Sequence, residues 1–85
     1  MDMSTKRNNL VWRIRTERDL GRAISGIRHQ RGMSQAELAE AAGIERTYLS
    51  RLEGSHSTIA IDRALRALRR MGAEVTVNLP AEDGE

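Results

Sequence analysis

Arg46, Thr47, Tyr48, Ser50 and Arg51 set five hydrogen-bonding side chains within six positions, and Ser34 and Gln35 stand about a dozen positions before them. Arginine presents a planar fork of donors that matches phosphate oxygens and the edge of guanine, which a lysine does not. Hydroxyl and amide groups add shorter donors and acceptors to the same stretch. This is chemistry of recognition rather than of bond making. No nucleophile and base can be paired, because His56, Glu53 and the serines around them belong to a Gly-Ser-His-Ser-Thr run of turn formers with no oxyanion motif and no chain to enclose it. The chain has no cysteine, and its two histidines lie far apart, so disulfides and thiolate metal sites are excluded and no zinc motif is present. An enzyme is not expected, nor a metal or cofactor.

Positioning falls to two short helices. Ser34 followed by Glu37 is a capping box, in which the hydroxyl takes an orphan amide of the first turn and the carboxylate reaches back. A helix therefore starts at Gln35, carries Leu38, Ala39 and Ala42 on one edge, and ends at Gly43, where glycine accepts a left-handed backbone. Ile44 dips toward the core. A second helix begins near Glu45 with Leu49 and Leu52 inward and Arg46, Thr47, Ser50 and Arg51 outward. Two short helices joined by a glycine turn form a helix-turn-helix. The plainer alternative is a helical hairpin with a solvated polar face.

The spacing of Ser-Gln-x-x-Leu-Ala, Ala-Gly-Ile and Leu-Ser-x-Leu-Glu over residues 34–53 resembles the helix-turn-helix of the Cro/phage-repressor (XRE-like) class. That resemblance implies a second helix lying in the DNA major groove. Ser or Thr is common in the class where this chain has Glu45, which suits the helix dipole but repels phosphate. On this reading Gln35, with Ser34 and the helix amides, holds a phosphate and fixes register. Arg46, Thr47, Tyr48 and Arg51 are the candidates for base edges, Arg46 foremost, and Ser50 for a polar or phosphate contact.

The remainder of the chain frames this motif. Residues 1–15 form a polar arm, with Lys6 and Arg7, followed by an extended segment in which Trp12 and Ile14 alternate with Arg13 and Arg15 and Leu10 falls in register with them. Trp12 is an anchor for the core or for a second copy, or else a dock for another protein. Residues 16–72 hold the DNA-binding unit. Thr16 and Asp19 cap a helix with Leu20, Ala23, Ile24 and Ile27 on its buried face, closed by Gly32. Arg22, Arg28 and Arg31 lie off that face as solvated side chains, the last two near enough to its end to reach DNA backbone. A last helix, capped by Ser57 or Thr58, turns Ile61, Ala64, Leu65, Leu68 and Met71 inward and ends at Gly72. Residues 73–80 alternate strictly up to Pro80, with Val75, Val77 and Leu79 on one face of a strand. Its amides need a partner. Leu10 to Ile14 is the only candidate within the chain, and the same strand of a second copy is the simpler expectation. Residues 81–85 are an acidic tail. Without its three acids the chain carries 14 basic against 9 acidic residues over positions 1–79, whereas the whole chain is only +2.

The expected fold is therefore all-α: a Cro/phage-repressor-like domain of four to five helices with a C-terminal β-strand that forms an intermolecular sheet in a dimer. From Thr16 to Leu79, including Asp-Leu-Gly-Arg-Ala-Ile and the ending Leu-x-x-Met-Gly-Ala-Glu-Val-Thr-Val, the chain resembles the HipB-like antitoxins. The resemblance implies a homodimer on palindromic operators, autorepression, and neutralisation of a HipA-like serine/threonine kinase toxin. A stand-alone repressor and an interaction module without DNA binding are the alternatives. With no apolar run long enough to span a membrane and no signal segment, a bacterial cytoplasmic location is expected.

Overall fold

The computed structural model describes residues 9–54 and 59–81. Among these the order is β1 (Leu10–Ile14), α1 (Glu17–Gln30), α2 (Gln35–Ala42), α3 (Arg46–Glu53), α4 (Ile59–Arg70) and β2 (Val75–Leu79). The arm expected over residues 1–8, the loop and helix cap expected over residues 55–58, and the acids of the expected tail lie outside the described residues.

Both expected capping boxes form. The Thr16 hydroxyl accepts from the Asp19 amide at 3.3 Å while the Asp19 carboxylate accepts from the Thr16 amide at 3.1 Å. Ser34 and Glu37 repeat the exchange at 3.0 and 2.8 Å. Gly43 ends α2 in the left-handed region at φ 73°, which lets the Ile44 amide reach back to the Ala39 carbonyl at 3.0 Å. The same six-to-one closure follows α1 at Gly32 and α4 at Gly72.

Helix α1 is the centre of the molecule, and two glycines let it be approached from two sides. A Cβ on Gly21 would press into the Leu52 carbonyl oxygen and stand 3.1 Å from that of Glu53, so α1 and the end of α3 meet backbone to backbone. Five positions on, and so about 140° around the helix at 3.6 residues per turn, a Cβ on Gly26 would lie 2.9 Å from the indole of Trp12. Trp12 is thus an anchor for the chain's own core. Ile14, Ala23 and Leu65 form the buried centre of that core, with Trp12, Leu20, Ile61, Val75 and Val77 packed around them. Leu49 and Ala39, 2% and 3% exposed, fill the joint of the helix-turn-helix.

The sheet corrects one expectation. β2 finds its ladder partner inside the chain: it pairs antiparallel with β1, in the register Leu10↔Leu79, Trp12↔Val77 and Ile14↔Val75. These three pairs share the inward face, while Val11, Arg13, Thr76 and Asn78 point outward. The Asn9 side chain secures the open end by accepting from the Ala81 amide at 2.9 Å. An unpaired terminal strand therefore does not exist to demand a second copy, although each strand of the two-stranded sheet keeps one unpaired edge.

Helix α4 brings a second correction. Ile61, Leu65 and Leu68 turn inward as expected, but Ala64 is exposed and Met71 is 73% exposed. The helix ends at Arg70, so Met71 falls in the turn rather than on the helical face. Ala42, expected on the apolar edge of α2, is exposed at the last position of that helix.

Candidate nucleic-acid interface

Leu49 anchors α3 from beneath, and Arg46, Thr47, Ser50 and Arg51 are exposed to solvent. Arg46 and Ser50 are four residues apart, as are Thr47 and Arg51, so these four share one outer face. The start of α2 lies against that face. Gln35, Arg46, Thr47 and Ser50 together line an open groove of about 250 Å3, which brings residues from both helices of the motif to one place. Arg51 is exposed and Tyr48 is 43% exposed on the same helix, both outside the groove lining. Ser34 keeps its hydroxyl proton for an outside acceptor, because its oxygen serves as acceptor for the Glu37 amide.

Behind the groove is a polar joint that the residue pattern did not disclose. The Arg28 guanidinium donates through Nε to Glu53 Oε2 at 2.8 Å and through Nη2 to Glu53 Oε1 at 2.9 Å, a two-pronged pair with side chains 11% and 7% exposed. Arg28 Nη1 also donates to the Met33 carbonyl at 2.9 Å, which fixes the turn before α2. Arg28 is thus not free to reach DNA backbone; its fork is engaged within the fold. The hydrogen bond from Arg28 holds the Glu53 carboxyl below its ordinary range, helped by one from Gln35, with burial acting in the opposite sense.

Gln35 belongs to the same network. Its Nε2 donates to Glu53 Oε1 at 3.1 Å. An amide nitrogen carries two hydrogens, so one is engaged by Glu53 and one remains on a residue that lines the groove. Glu53 thereby holds the rotamer of the side chain that opens the groove. A bidentate arginine-carboxylate pair linking the ends of α1 and α3 could have been suspected from the Leu-Glu ending of the motif, but an arginine off the apolar face looks solvated in sequence.

Glu45 is the N-cap of α3 by backbone only, and its side chain makes no capping bond. The first intrahelical bond of α3 runs from the Leu49 amide to the Glu45 carbonyl at 3.0 Å, so the preceding amides have no partner within the helix. Arg46, Thr47 and Gln35 bring side-chain donors together on one groove. Among the described residues no cluster of His, Asp and Glu is arranged to hold a metal ion.

A groove of hydrogen-bond donors beside the second helix of a helix-turn-helix defines a DNA-binding module. The chain belongs to a helix-turn-helix domain family, whose model matches residues 2–79. It is 30% identical over 70 residues to an uncharacterised HTH-type transcriptional regulator, y4mF, of Sinorhizobium fredii (strain NBRC 101917 / NGR234), a match that spans 82% of this chain and 92% of that protein. No solved structure matches the chain. The protein is a DNA-binding transcription regulator and not an enzyme. Among its described residues no helix is long and apolar enough to cross a membrane.

Proposed function

We propose that the chain is a sequence-specific repressor, cytoplasmic in its bacterial host, that binds a palindromic operator as a homodimer and serves as the antitoxin of a HipA-like serine/threonine kinase toxin. The convergence of Gln35, Arg46, Thr47 and Ser50 on one groove supports the DNA half of this reading. Arg46, Thr47, Tyr48 and Arg51 read base edges, and Gln35, Ser34 and Ser50 hold phosphates and set the register. The dimer forms through the free backbone edge of β2, while Val75 and Val77 pack into the chain's own core, so that two sheets join into one of four strands about a two-fold axis. Two recognition helices then face DNA about 34 Å apart, or a multiple of that spacing. The antitoxin half rests on the resemblance of Thr16 to Leu79 to HipB-like chains.

Affinity capture of the tagged chain from its host, with DNA retention measured on the captured complex at low and moderate salt, tests both halves. A kinase-fold protein captured together with DNA supports the whole reading. DNA captured without a protein partner removes the antitoxin half and leaves a stand-alone repressor, the alternative that suits a relative described as a transcriptional regulator. Failure to retain DNA at either salt concentration sinks the repressor reading, because phosphate contacts are strongest at low salt.

A further inference from the structure

The end of β1, the turn after α4 and the start of β2 enclose a second cleft of about 250 Å3, with no lining residue from α2 or α3. Arg13, Arg15 and Arg69 line it from two elements, and Glu74 is the one acid among them. Ala73, which is exposed, and half-buried Val75 supply an apolar part of its wall. Arg69 is held in place by donating to the Arg15 carbonyl. Arg13 pairs with Glu74 at 3.3 Å, with side chains 58% and 71% exposed. So exposed a pair is weak and screened.

We propose that this cleft binds a small organic carboxylate with an apolar body, on a part of the surface separate from the DNA groove. Three guanidinium groups against one carboxylate leave the lining with a net charge of +2. The Glu74 carboxylate occupies the position of an incoming anion and exchanges with it, since its own pair with Arg13 is exposed. Inorganic phosphate would use the arginines but not Ala73 or Val75, so the apolar wall selects an anion with a hydrocarbon part. The volume is just under the ~300–1,000 Å3 of sites that take drug-sized ligands, which limits the ligand to metabolite size.

The full-length 15N-labelled protein is titrated with sodium benzoate, with sodium phosphate and with sodium chloride at matched ionic strength, following amide shifts. Benzoate is expected to give saturable shifts confined to residues 13–15, 69 and 72–75. Glu74→Gln removes the competing carboxylate and tightens benzoate by about two- to fivefold, the scale of one exposed ion pair. The double substitution Arg13→Gln with Arg15→Gln abolishes saturation while the remaining spectrum is retained. Shifts that never saturate, shifts that phosphate reproduces at equal affinity, or an affinity that Glu74→Gln leaves unchanged would each overturn the proposal.

Discussion

Arg28 and Glu53 stand 25 positions apart and meet through two hydrogen bonds of 2.8 and 2.9 Å, so the middle of the molecule is closed by a forked ion pair rather than by apolar contact alone. The pair ties α1 to the end of α3 and, through Gln35, to the start of α2. One carboxylate therefore sets the relative placement of all three helices behind the groove.

This pair makes stability depend on pH. The Glu53 carboxyl is lowered in the folded state from an ordinary value of 4.5, chiefly by the hydrogen bond from Arg28. A lowered folded value means that the stabilisation is fully present above pH 4.5 and is lost as pH falls through the folded value. Asp19 acts in the same direction, its carboxyl lowered first by the Arg15 amide. Glu53→Gln is expected to cost about 1–3 kcal/mol near pH 7, since buried donors lose a charged acceptor. It should also flatten the stability curve below pH 4.5. Urea melts at a series of pH values measure both, and a variant that kept the parental slope would show that Glu53 is not the group titrating.

The two glycines of α1 should respond differently to alanine. A methyl at Gly21 meets backbone carbonyl groups at the end of α3, which move only if the helices separate. A methyl at Gly26 meets the ring of Trp12, a side chain able to shift. Gly21→Ala is expected to destabilise by about 1–3 kcal/mol after its gain in helix propensity is set against overpacking. At about 4–8 °C per kcal/mol for a domain of this size, thermal melting resolves the difference from Gly26→Ala, which should fall well short of it.

Helix ends were legible in sequence because their causes are local. Thr16 with Asp19 and Ser34 with Glu37 place each first turn, and the left-handed glycines at 32, 43 and 72 place the last. The sheet was legible only as two alternating segments. Nothing near Val75 in the chain chooses Ile14 over a second molecule, since that choice depends on how α1 and α4 fold back. Arg28 was misread for a related reason: whether an arginine off the apolar face is solvated depends on Glu53, which only the packing of α1 on α3 brings to it. Within the groove, the outward positions of α3 followed from helical period alone, whereas the hold of Glu53 on Gln35 did not.

The proposed dimer makes a simple prediction about mass. With one edge of β2 already paired to β1, a second copy would join through the other edge and leave both sheets whole. Light scattering should give twice the chain mass of 9.5 kDa at micromolar concentration. A mass that stays at that of one chain throughout would mean that the free edge is not used in solution and that the operator recruits monomers.

Arg46 and Gln35 line the same groove but should fail in different ways when truncated. Arg46 sits on the outer face of α3, where a bidentate contact with guanine discriminates by about 1–3 kcal/mol against a wrong base. Arg46→Ala is therefore expected to lower affinity for the preferred site about 5- to 150-fold while barely changing binding to unrelated DNA. In the proposed complex Gln35 would offer its remaining amide hydrogen to a phosphate, a group that every sequence presents alike. Gln35→Ala should weaken preferred and unrelated sites by similar factors. The salt dependence separates this from a loss of charge: Gln35 is neutral and leaves the slope of affinity against salt unchanged, whereas an arginine paired with a phosphate contributes close to one unit to it. Binding measured for both variants on two DNA sequences at several salt concentrations decides the assignment, and equal losses on both sequences for Arg46→Ala would move that residue from the bases to the backbone.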